Sequence, residues 1–204
     1  MPTIQPIVEG HGEDGSIRTL LDRIWRELLG RTDYLEVRKA LRDPKGKLIK
    51  YQGLKNAVEL ADKKLRYNAP SGRPLILILF DADDDLACQL GPQVYATAAK
   101  NTNLLVASVL AVKEYETWFV GAATSLTDYL DLSEDEPSCA SPERARAGEA
   151  WIMKRFRGQR RYSKTTDQPR MTARMDLNLA RKHCPSFDKL CRELTKFAEA
   201  NKEP

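Results

Sequence analysis

No apolar run in this 204-residue chain approaches the roughly 20 residues needed to cross a bilayer; the longest are Leu75 to Phe80 and Leu104 to Val112. A membrane partner is therefore not expected. The opening stretch, Met1-Pro2-Thr3-Ile4-Gln5-Pro6, lacks the basic and apolar regions of a secretory leader, so the expected compartment is the cytoplasm. Cysteine is scarce: Cys88, Cys139, Cys184 and Cys191 form no CxxC pair, which suits a reducing compartment better than a disulfide framework. His183, Cys184 and Cys191 lack a fourth ligand at a usual zinc spacing. There is no P-loop. Gly10, Gly12 and Gly15 do not make a dinucleotide fingerprint either, since an acid sits where the phosphate would approach.

The composition, 42% hydrophobic and 30% charged, is that of a folded globular protein. Its net charge of +4 hides an uneven distribution. Residues 1–138 hold 17 basic and 21 acidic side chains, whereas residues 139–204 hold 16 basic and 8 acidic ones. A basic half joined to a mildly acidic half points to a polyanionic partner.

Ile4 to Val8 reads as a strand ending in Glu9-Gly10-His11-Gly12-Glu13, although Pro6 argues against full pairing there. Ile17, Leu20, Leu21, Ile24, Trp25 and Leu28 then mark one face of a helix closed by Gly30. Leu35, Val37 and Leu41 suggest a weak second strand, and Leu54 to Leu65 a second helix. Leu75 to Phe80, apolar on both faces, reads as a buried parallel strand. A helix over 86–100, kinked or interrupted at Gly91-Pro92, precedes another buried strand over 104–112. The expected fold class is α/β, a mostly parallel sheet flanked by helices. Beyond residue 120 the strand signals stop. Ser133 to Ser141 reads as a linker, and helices are expected over 151–156, 171–181 and 186–201. The division expected is a metal-binding domain over 1–125 and a basic, α-helical C-terminal extension over 126–204 packed on it.

Three strands end in acid. Glu9 and Glu13 follow the first, Asp81, Asp83 and Asp85 the third, and Glu114 and Glu116 the last. Parallel strand ends lie side by side, so these carboxylates should converge, repel and either take up protons or bind cations. Oxygen ligands of this kind suit Mg²⁺ or Mn²⁺. If strand alternation persisted, Asp81 and Asp83 would point the same way, as would Glu114 and Glu116. One acidic loop alone would be better explained as a helix cap.

Ile7-Val8-Glu9-Gly10 with Glu13, followed by Phe80-Asp81-Ala82-Asp83, resembles the Toprim domain of topoisomerases, primases and OLD-family nucleases. The resemblance spans roughly residues 3–120. With Glu114-Tyr115-Glu116-Thr117-Trp118-Phe119 and Tyr162-Ser163-Lys164, the layout is similar to small stand-alone bacterial Toprim-like proteins akin to the OLD nuclease domain. It implies that Glu9 is a metal ligand or general acid/base, that Asp81 and Asp83 bind divalent metal, and that Glu13 assists. Either Glu114 or Glu116 fills a further acidic role, and Lys164 is the candidate catalytic lysine. The implied activity is metal-dependent nucleic-acid hydrolysis. The alternative is a non-catalytic module acting with a partner such as an ATPase, which OLD-type domains often accompany.

Lys154, Arg155, Arg157, Arg160, Arg161 and Lys164 occur without an intervening acid, interleaved with Trp151, Phe156 and Tyr162. Such a stretch can follow a phosphate backbone and stack bases, so Arg155, Arg157, Arg160, Arg161 and Lys164 are the candidate DNA or RNA contacts. The competing reading is a solvated surface whose aromatics pack inward.

Overall fold

A computed structural model describes residues 1–67, 72–133, 141–144, 148–157 and 160–202; most of the expected linker, residues 134–140, lies outside the described residues. The α/β class holds. Five strands form one wholly parallel sheet: β1 (Thr3–Val8), β2 (Glu36–Val37), β3 (Leu41–Arg42), β4 (Leu75–Asp81) and β5 (Leu105–Ala111). β4 and β5 follow β1 on one side; β2 and β3 share its other side.

The objection raised by Pro6 is answered by that shared side. The carbonyls of Pro2, Ile4 and Val8 accept N–H groups of Glu36, Arg38 and Asp43, so even-numbered residues of β1 face β2 and β3. The N–H that Pro6 lacks would point into the break between these short strands. There the Gln5 side-chain amide fills the space, donating to the carbonyls of Pro6 and Lys39.

Alternation along β4 divides the core in two. Leu75, Leu77 and Leu79 pack on one face with α1 (His11–Arg23), while Ile76, Ile78 and Phe80 pack on the other with α3 (Tyr51–Tyr67) and α4 (Ala87–Ala99). α1 continues as a wider π-helical turn over Ile24–Leu28, and α2 (Lys45–Leu48) is a single turn. α4 runs unbroken through Gly91-Pro92. α5 (Glu116–Gly121) follows β5 directly.

The C-terminal helices are α6 (Glu149–Arg155), α7 (Asp167–Thr172), α8 (Leu177–His183) and α9 (Pro185–Ala200). The single helix expected over 171–181 is divided. Asp176 accepts the N–H groups of Asn178 and Leu179 through its side chain and caps α8, a local alternative that competes with continuing the preceding helix. α9 presents Phe187, Leu190, Cys191, Leu194, Phe197 and Ala198 to the α1 face of the sheet, so one core cluster runs from Ile4 to Ala198. Among the described residues no helix is long and apolar enough to cross a membrane.

Because α9 and the sheet share a core, Leu190→Ala should cost about 2–5 kcal/mol. Urea unfolding followed by circular dichroism and by tryptophan fluorescence should still give one coincident transition. Two separate transitions would show that the helical extension folds by itself.

Candidate active site

The carboxyl ends of β1, β4 and β5 gather the predicted acids, but not as strand alternation required. Asp81, the last residue of β4, accepts the Tyr115 N–H at 2.8 Å. Beyond it the chain turns: Asp83 takes φ 50° and Lys113, after β5, φ 64°, conformations uncommon outside glycine. The Asp83 N–H donates to the Lys113 carbonyl, tying the two turns together. Asp83 therefore does not point with Asp81. It is exposed and, with Asp85, engages the Lys45 ammonium at 2.8 and 2.9 Å. Lys45 had no local signal in the sequence.

The same turn separates Glu114 from Glu116. Glu114 accepts the Glu149 N–H at 2.6 Å and so caps α6; a side chain at Gly148 would strike this carboxylate. Glu116 begins α5 and is fully buried. Its Oε1 accepts the Tyr162 hydroxyl at 2.9 Å, and its Oε2 lies 3.3 Å from the Lys164 ammonium. Lys164 also lies 3.6 Å from Glu149 and 4.0 Å from Asp81. Of the two alternatives at the end of β5, Glu116 is thus the one that joins Asp81.

Glu13, buried on α1, reaches back to the Gly10 N–H at 2.9 Å and fixes the turn after Glu9. Glu9 Oε2 is buried without a hydrogen-bond partner among the described residues. Close behind, Gln168 on α7 is fully buried against Gly12, whose hydrogen leaves room for the Gln168 amide. Tyr115 is tied to α7 as well, its hydroxyl 3.0 Å from that of Thr172.

Burial raises Asp81 well above the ordinary carboxylate range, aided by the Glu13 and Glu116 charges and opposed by Lys164 and the Tyr115 N–H. Burial likewise raises Glu9, with Asp83 and Glu13 adding to it and the backbone and ammonium of Lys45 opposing it. Glu116 is raised by burial against the pull of Lys164 and Tyr162. For Lys164 burial works against the charge, but the carboxylates of Glu116, Asp81, Glu149 and Glu114 outweigh it and hold the proton more tightly than usual. These oxygens are hard donors of the kind a divalent cation takes as ligands, and they are only partly compensated by the donors around them. Among the described residues no three Asp, Glu, His or Cys side chains already close around a common metal position; the Lys164 ammonium stands among them.

Two arginines of the basic stretch are engaged by acids outside it. Arg160 makes a two-pronged contact with the buried Asp167, at 2.5 and 2.7 Å. Arg157 pairs with Asp131 at 3.3 Å. The Arg155 guanidinium stacks on Trp151, 4.1 Å from the ring centroid, and Arg160 also covers Phe156. Tyr162 is buried with its hydroxyl on Glu116, so it offers no stacking face to solvent. Arg161 is exposed. Trp151 and Phe156 are partly buried against the core beside Tyr162.

Asp167 also accepts the Ser163 N–H at 2.8 Å, which fastens the loop bearing Tyr162 and Lys164. Burial raises its pKa, but Arg160 and the Ser163 N–H prevail and the net shift is downward. A depressed carboxylate stabilises above its unfolded pKa of about 3.9 and loses that contribution as pH falls through the folded value. Asp167→Asn should therefore destabilise the protein by on the order of 1 kcal/mol at neutral pH, the half-exposed Arg160 limiting the effect. In thermal melts the gap from wild type should be full above roughly pH 5 and should narrow only as pH falls below roughly 4, through the depressed folded value.

Against known families, a model described as "Domain of unknown function (DUF4276)" matches residues 8–195. Comparison with curated proteins and with solved structures found no match.

Proposed function

The chain belongs to the DUF4276 family, and we propose that it is a divalent-metal-dependent hydrolase of nucleic-acid phosphodiesters. The observation that carries this reading is the placement of Glu9, Asp81 and Glu116 just beyond or at the carboxyl ends of three neighbouring strands of one parallel sheet. Each has its proton affinity raised by burial near other carboxylates, and the Lys164 ammonium stands beside two of them. The resemblance of the Glu9 turn and the Asp81-Ala82-Asp83 segment to Toprim and OLD-type nucleases supports the same chemistry.

In this reading Glu9, Asp81 and Glu116 hold Mg²⁺ or Mn²⁺, while Asp83, Asp85 and Glu114, engaged by Lys45 and by α6, lie outside the ligand set. When bound, the ion lowers the pKa of a water toward neutrality and draws charge from a phosphoryl oxygen. The Tyr115 N–H and Tyr162 hydroxyl orient Asp81 and Glu116 by donating one hydrogen bond to each. Glu13 fixes the turn that presents Glu9. Lys164, kept protonated by its neighbours, offsets the negative charge that builds on the phosphoryl oxygens in the transition state.

Asp81→Asn should abolish Mn²⁺-dependent cleavage of plasmid DNA and of RNA, and weaken Mn²⁺ binding by calorimetry, without changing the circular dichroism spectrum. Lys164→Met should slow cleavage by about 10²-fold. Undiminished cleavage by the Asp81 variant would reject the reading.

A further inference from the structure

At the opposite edge of the sheet from β5, between β2 and the C-terminal turns of α3, lies a groove of about 680 Å³. Five cations line it: Arg18, Arg38, Lys39, Lys63 and Lys64. The one lining acid, Glu36, is already engaged by the Thr3 hydroxyl at 3.0 Å and by Arg38 at 3.5 Å. Arg18 and Arg38 are anchored on the backbone carbonyls of Val37 and Lys64. Among the described residues the ammonium groups of Lys39, Lys63 and Lys64 have no carboxylate partner. Two tyrosines also line the groove, and both are exposed, Tyr34 by 57% and Tyr67 by 88%.

We propose that this groove binds single-stranded nucleic acid, with the lysines on phosphates and the rings of Tyr34 and Tyr67 stacking on bases. Unpaired cations alone would be a solvated surface. Cations set around exposed rings match a ligand that carries both phosphates and flat apolar faces, and of the two forms of nucleic acid, paired and unpaired, it is the unpaired strand that offers those faces. The basic stretch over 151–164 lacks this combination, because its rings are packed or covered and two of its arginines are held by acids.

The groove and the site both border β1, the groove at Gln5 and the site at Glu9. The Lys39 carbonyl is level with Gln5 on β1, and β3 carries the chain on to Arg42, whose guanidinium contacts His11 beside the Glu9 turn. From Gln5 to Glu9 is four residues, ~13 Å of strand, so one strand can occupy the groove and reach the acids. The inference rests on the proposed nucleic-acid chemistry for its ligand, but binding and cleavage separate the two.

Fluorescence anisotropy of the full chain in EDTA, with labelled oligo-dT and oligo-U of about ten nucleotides, tests it. Lys63→Ala with Lys64→Ala should weaken binding at least tenfold and reduce the log–log salt slope by about 1.4, two single-strand phosphate contacts. Tyr34→Ala with Tyr67→Ala should weaken it by about tenfold while leaving the slope unchanged, and should leave duplex binding unchanged. Normal strand binding by both groove variants overturns the inference, as does loss of binding only in Arg157→Ala with Arg161→Ala, or a wild type that binds no oligonucleotide at low salt. A mononucleotide that competes as well as the oligomer overturns the assignment to a strand. Groove-dependent binding without cleavage under any metal would leave this inference standing and reject the hydrolase reading alone.

Discussion

Crowding of negative charge at one end of a parallel sheet is the constraint on which the rest of this structure depends. Asp81 closes a strand whose preceding residues are wholly apolar and buried, so its carboxylate is largely withdrawn from solvent, near Glu13 and Glu116. Carboxylates so arranged cannot all ionise without cations or hydrogen-bond donors. Much of the local architecture supplies them: the Tyr115 N–H to Asp81, the Tyr162 hydroxyl and Lys164 ammonium to Glu116, Lys45 to the acids of the outer turn. In the proposed reading the same cluster receives a metal ion and a phosphate.

Support for that cluster comes chiefly from the far end of the chain. α7 packs behind α1, with Gln168 against Gly12 and Thr172 against Tyr115, and the loop before α7 delivers Lys164. Arg160 and Asp167 brace the loop. α9 fills the remaining apolar surface of that sheet face. Basic residues that look like a ligand-binding strip in sequence thus act in good part as internal braces.

How much of this was legible in the sequence depends on the range of the signal. The two-sided apolar run of β4 and its abrupt end at Asp81 are local and were readable, as were Glu9 after β1 and the helical stripe of α9. The choice of Glu116 over Glu114 was not, because period-two reasoning fails once Lys113 and Asp83 enter the left-handed region. The pairing of Arg157 and Arg160 was not legible in the run from Lys154 to Lys164, because their partners, Asp131 and Asp167, lie outside the stretch. Lys164 itself was found through a family resemblance, since nothing between residues 116 and 164 marks it as converging on the acids. The groove around Tyr34 and Tyr67 draws on three separate segments, each unexceptional alone.

The continuity of the core from Ile4 to Ala198 also sets an order of events during synthesis. When residue 116 leaves the ribosome, the acids have all been made, but Lys164 and the helices that enclose them have not. At that point Lys45 can already meet Asp83 and Asp85, but Asp81 and Glu116 still lack the Lys164 ammonium. The core that holds these strand ends is complete only once α9 has been made.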